Sequence, residues 1–194
     1  MGFRQSFMKT LYSFVMLKGK LFPSEKGIIQ NKKNIPPPVP FYSLHATAND
    51  GTTIDFQTFK GKKILLVNTA SNCGYTGQYA ELQTLYLQNR DKLIIIGFPA
   101  NDFKEQEKGT DEEIASFCQR NFGVTFPLMK KSSVVKGSNQ HEVFAWLSDS
   151  TKNGWNNQAP TWNFCKYLVN EDGVLTHYFD KGISPLDKRV TGAL

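Results

Sequence analysis

Two near-continuous aliphatic runs, Lys63 to Thr69 and Leu93 to Phe98, have the pattern of strands buried on both faces. Between them Tyr79, Leu82, Leu85 and Tyr86 recur at helical spacing. Together they predict a β-α-β crossover, and hence two parallel strands. Phe41 to Ala46 and Thr52 to Phe56 flank Asn49-Asp50-Gly51, which predicts an opening hairpin because Asp-Gly reaches positive φ at little cost. A second hairpin is predicted where Thr161 to Val169 and Val174 to Phe179 flank Glu171-Asp172-Gly173. The capping box Thr110-Asp-Glu-Glu113 starts a helix expected to run to about Arg120. Ser138 is expected to cap another, through Leu147, with Val143, Phe144 and Leu147 facing inward. The order hairpin, β-α-β, α, α, hairpin predicts the α/β class: a central mixed sheet flanked by helices on both faces.

Charge divides the chain at its proline-rich stretch. Before Pro40 stand Arg4, Lys9, Lys18, Lys20, Lys26, Lys32 and Lys33 against Glu25 alone, so the whole net charge of +6 lies there and the remainder is neutral. The reading is a basic extension over 1–39, ending in the stiff spacer Ile35-Pro-Pro-Pro-Val-Pro40, and one domain over 40–194. A neutral domain is not expected to bind nucleic acid. The extension has more than one reading. Phe3, Phe7, Leu11, Phe14, Val15 and Leu21 fall near helical spacing among basic residues, which suits contact with an anionic membrane surface. It equally suits a weak targeting segment, or an extension with no role. Its longest apolar run is too short to span a bilayer, and a cytoplasmic location is the default expectation.

The three cysteines, Cys73, Cys118 and Cys165, are too few and too scattered for a disulfide scaffold, and no Cys-x-x-Cys occurs. No metal or cofactor is expected. Functional thiols remain. Cys73 follows the first aliphatic run at the mouth of the predicted crossover helix, where a site is usual in an open α/β sheet. Free N–H groups and the positive end of a helix dipole favour a thiolate there, with a pKa below the ordinary value of about 8.5. The bland alternative is an inert buried thiol. None of His45, His141 and His177 stands in a motif pairing it with Cys73, so a Cys-His protease is poorly supported.

Three stretches in register sharpen this reading: Val67-Asn-Thr-Ala-Ser-Asn-Cys73-Gly-Tyr-Thr, Gly97-Phe-Pro-Ala-Asn-Asp-Phe-Lys-Glu-Gln-Glu-Lys-Gly109, and Trp162-Asn-Phe-Cys-Lys-Tyr-Leu-Val169. In that order they resemble the glutathione peroxidase family in its cysteine branch, over roughly Pro40 to Asp187. The resemblance implies a thioredoxin-like fold and a thiol peroxidase in which Cys73 attacks hydrogen peroxide or an organic hydroperoxide and becomes a sulfenic acid. It implies that Trp162 and Asn163 donate hydrogen bonds to the sulfur, although neighbours on a regular strand point to opposite faces. Both reach Cys73 only if the chain bends there. It implies that Cys118 resolves the sulfenic acid as a Cys73–Cys118 disulfide, which requires its helix to unwind. Thioredoxin or glutathione then supplies the reducing equivalents, thioredoxin being the stronger expectation. Cys165 is read as structural, and the short segment from Ser148 to Pro160 resembles that of compact monomeric members.

One position departs from the family. Asp102 stands where the family motif leads us to expect a glutamine that completes the site. Two full charges about 4 Å apart at an effective dielectric near 20 repel by about 4 kcal/mol, which corresponds to about three pKa units on the thiol. Asp102 is therefore expected either to be protonated or to turn away while a neighbour such as Asn101, or a water, donates instead. If it suppresses turnover, the alternative is a non-enzymatic redox sensor or adaptor oxidised at Cys73.

Overall fold

The computed structural model describes residues 27–194, so the reading of Phe3 to Leu21 as an amphipathic segment lies outside the described residues. A mixed sheet runs in the order β1 (Ile28–Gln30), β7 (Leu175–Phe179), β6 (Lys166–Val169), β4 (Lys63–Thr69), β5 (Leu93–Pro99). The crossover α1 (Gln78–Asn89) makes β4 and β5 parallel, in register from Lys63 opposite Leu93 to Thr69 opposite Pro99. The other pairings are antiparallel. A separate hairpin joins β2 (His45–Thr47) and β3 (Thr53–Asp55). It is shorter than predicted, because Phe41–Ser43 and Phe56–Phe59 close into 3-10 turns.

Strand alternation sorts the core into two layers. Leu65, Val67, Ile95 and Leu168 pack against Tyr79, Leu82 and Leu85 of α1, Ile114 and Cys118 of α2 (Asp111–Phe122), and Val190 of α5 (Lys188–Thr191). On the opposite side Ile64, Leu66, Ile96 and Tyr167 pack against Phe41, Phe56 and Val143, Phe144 and Leu147 of α3 (Glu142–Leu147). Cys73 and Cys118 share the first layer, and Cys165 belongs to the second.

The predicted cap of α2 is present in both halves. Glu113 N donates to Thr110 Oγ1 at 3.3 Å, Thr110 N donates to Glu113 Oε2 at 2.9 Å, and Gly123 closes the other end at φ 64°. The predicted cap at Ser138 is wrong. Helix α3 starts at Glu142, where His141 Nδ1 accepts from Val143 N at 3.2 Å, and α4 (Ser150–Asn153) follows it. Gly97 lets the segment from Phe126 to Met129 lie against the edge of β5: Gly97 N donates to Pro127 O at 2.9 Å and Met129 N to Gly97 O at 2.8 Å. A Cβ at Gly97 would fall 2.6 Å from the Leu128 side chain.

The domain boundary also moves. Residues 27–39, read as the end of an extension, pack on the domain: β1 covers the edge of β7, where unpaired backbone groups would otherwise be exposed. A polyproline backbone has no internal hydrogen bonds and so leaves carbonyls for outside donors. Trp146 Nε1 donates to Val39 O at 2.8 Å, and Asn31 Nδ2 bridges Ile35 O and Leu175 O at 3.0 and 3.2 Å. No helix of the described residues is long and apolar enough to cross a membrane.

Candidate active site

Cys73 does not sit on the helix end itself but in the turns between β4 and α1. Thr76 holds that turn closed, its Oγ1 accepting from Cys73 N at 3.0 Å and donating to Ala70 O at 2.9 Å. Tyr75 N points at Cys73 Sγ across 3.5 Å.

Trp162 and Asn163 both lie on the Cys73 side of the chain, where each acts on the thiol to favour its charged form. The parity problem disappears because β6 begins only at Lys166, and Phe164 turns the chain at φ 67° before the strand starts. Asn68 of β4 pins this bend from three sides: its Nδ2 donates to Trp162 O at 2.9 Å, its Oδ1 accepts from Cys165 N at 3.0 Å, and its backbone carbonyl accepts from Phe164 N at 2.6 Å. The Trp162 indole is backed by Phe103 at 5.6 Å between ring centroids and covered by Lys104 Nζ at 5.7 Å.

Asp102 is not in the site. Its carboxylate accepts from Ser133 Oγ and from Val134 N, each at 2.8 Å, and it is absent from the groups that act on the Cys73 thiol. Lys104 and Glu105 follow in left-handed conformation, at φ 54° and 51°, and swing the chain round. The side chain thereby delivered is Gln106, whose Oε1 accepts from Asn163 Nδ2 at 3.0 Å and whose backbone carbonyl accepts from Asn72 N at 3.1 Å. Gln106 is the site residue that sequence reasoning missed. The signal was available: a thiolate needs neutral donors, and Gln106 is the one glutamine in that loop. Asn101 does not substitute, since its Oδ1 accepts from Glu107 N at 2.9 Å.

The thiol itself runs against expectation. Cys73 is only 2 % exposed. Burial pushes its pKa above the ordinary value, opposed by the Tyr75 N–H, Trp162, Asn163 and the Gly74 N–H. Burial and these neutral donors thus act in opposite directions on the charge of the sulfur, the donors favouring the charge it acquires on reaction. Cys118 is fully buried on α2 beside the Tyr79 hydroxyl, and burial pushes it up to about 12. Cys165 takes the Tyr178 hydroxyl at 3.4 Å and lies 3.6 Å from Thr161 Oγ1, as suits a structural thiol.

A family model described as Glutathione peroxidase matches residues 41–148. Glutathione peroxidase-like peroxiredoxin 2 of Saccharomyces cerevisiae is 42% identical over 157 residues, covering 79% of this chain and 96% of its own. Glutathione peroxidase-like peroxiredoxin gpx1 of Schizosaccharomyces pombe is 48% identical over 140 residues, 71% of this chain and 87% of its own. The chain belongs to the glutathione peroxidase family. Among solved structures, T. cruzi GPX1 superimposes with a TM-score of 0.59 at 29% identity over 78% of this chain and 94% of its own. A DsbF homologue from Corynebacterium diphtheriae, at 14% identity, matches with a TM-score of 0.61 over 89% of this chain and 96% of its own, and shows the thioredoxin-like fold alone.

Proposed function

We propose that this peroxidase works through the Cys73 thiol. The observation that carries the reading is the ring of neutral donors on the sulfur, the Tyr75 and Gly74 N–H groups with Trp162 and Asn163, and with Gln106 bonded to Asn163. None of these groups is a charged acid or base. The thiol proton therefore serves the leaving oxygen: the sulfur attacks the terminal peroxide oxygen, the O–O bond breaks, and the departing alkoxide or hydroxide takes that proton as alcohol or water. Neutral dipoles stabilise the charge that passes through the site without locking the sulfur into an ion pair.

Cys118 resolves the sulfenic acid. Buried on a helix capped at both ends, it reaches Cys73 only after α2 opens. A disulfide then forms, and thioredoxin rather than glutathione reduces it, in keeping with relatives named glutathione peroxidase-like peroxiredoxins. The protein acts as a monomer.

The test is peroxide-dependent NADPH consumption with thioredoxin and its reductase, run beside glutathione and its reductase. Sustained turnover only with thioredoxin is expected, abolished in Cys73→Ser. Cys118→Ser should react once and stall as a sulfenic or sulfinic acid. Normal turnover of Cys118→Ser with thioredoxin would remove the resolving role.

A further inference from the structure

Glu107 is an acid that the peroxide chemistry leaves unused. It is 1 % exposed, yet both hydrogen bonds it receives, from Ser71 N at 2.8 Å and Ser71 Oγ at 3.1 Å, fall on the single oxygen Oε2. No hydrogen bond among the described residues is made to Oε1. Glu107 lines a cavity of about 330 Å³. Its lining includes Ser71 and Asn72, the residues leading into Cys73, and Ile114 and Phe117, on the turn of α2 that carries Cys118. The cavity lined by both thiol-bearing segments therefore has a buried carboxyl beside it, with one oxygen uncommitted.

Resolution creates a need for such a group. The Cys118 thiol must lose a proton to attack, and burial makes that difficult. The chemistry at Cys73 offers only neutral donors. We propose that Glu107 is the proton acceptor of the resolving step, taking the Cys118 proton as α2 opens into this cavity and returning it to the departing oxygen. The balance closes. The Cys118 S–H bond breaks toward Glu107, the freed electron pair forms the bond to Cys73 Sγ, and the sulfenic S–O bond breaks. The hydroxide leaves as water with the proton from Glu107. Cys118 is oxidised, and Cys73 is reduced from sulfenic acid to disulfide.

The surroundings suit an acid that titrates near neutrality. Burial raises Glu107 to about 7, against the Ser71 bonds and the field of Lys131. From α1 the Tyr79 hydroxyl faces it, and from α2 the Cys118 thiol. Glu105, Lys108 and Glu113 stand around the same cavity. An acid poised near the working pH is the effective kind for proton transfer.

This proposal rests on the reading of Cys118 as the resolving thiol. The experiment follows one turnover of the full chain by stopped-flow tryptophan fluorescence and by mass spectrometry of quenched samples, so that sulfenic acid formation and disulfide formation are separate phases. Glu107→Gln should slow the disulfide phase at neutral pH by tenfold or more relative to the sulfenic phase in the same traces. The inflection near pH 7 in the disulfide phase should vanish, and Glu107→Asp should restore part of both. Equal slowing of both phases would make Glu107 a structural latch and overturn the proposal, as would a disulfide phase indifferent to the substitution. If Glu107→Gln does not fold, the wild-type profile decides: a disulfide rate without an ionisation near neutrality overturns it. Failure of the underlying reading looks different, because no Cys73–Cys118 disulfide phase would then appear in the wild type.

Discussion

At the scale of single residues, the exchange of Asp102 for Gln106 is the instructive case. Both lie in one loop, and a pair of left-handed residues decides which of them meets the site. Asp102→Ala should leave the bimolecular peroxide rate within about twofold while lowering stability by about 1–3 kcal/mol, since Ser133 Oγ and Val134 N lose their acceptor. Gln106→Ala should do the reverse, slowing the peroxide reaction by about tenfold or more with a small effect on melting. Stopped-flow rates and thermal melts on the pair check this. Glu107 gives a second prediction. Its folded-state pKa of about 7 lies above the unfolded value, so the native state holds a proton that the unfolded chain has released. The contribution is fully present below about pH 4.3 and is lost as pH rises through about 7. By pH 8 the wild type should have lost on the order of 3 kcal/mol from this group. Glu107→Gln should flatten that part of the profile in denaturant titrations across pH.

At the scale of elements, most of the framework was legible in the sequence. The two aliphatic runs became β4 and β5, the Asp-Gly turns closed their hairpins, and Thr110 with Glu113 marked the start of α2. What local pattern could not show was where a strand stops short. Thr161 to Cys165 has the composition of a strand, but its backbone is claimed by Asn68 from β4, a contact across 94 to 97 residues that no window along the chain contains. The same kind of long-range contact seats residues 27–39 on the sheet and on Trp146. Two substitutions test elements directly. Thr110→Ala removes the capping box at a cost of about 1 kcal/mol. If the opening of α2 precedes resolution, disulfide formation should accelerate by up to about fivefold, an equilibrium gain of that size. Gly97→Ala forces a methyl into the Leu128 side chain and should cost about 1–3 kcal/mol by overpacking, seen as a lower melting temperature.

At the scale of the whole molecule, the sheet divides the thiols. Cys73 and Cys118 lie in the layer under α1 and α2, and Cys165 in the layer under α3. The sheet thus acts as a partition in the redox circuit. An opening of α2 would bring Cys118 toward Cys73, whereas Cys165 stays in the other layer, where the Tyr178 hydroxyl donates to its sulfur. Peptide mapping after stepwise peroxide addition should find Cys73 paired with Cys118 and Cys165 unmodified until the fold is lost, so Cys165→Ser should leave turnover intact. A buried third thiol in a peroxide-handling protein is a standing opportunity for miswiring, and here burial in the other layer, with the Tyr178 hydroxyl on its sulfur, is the insulation.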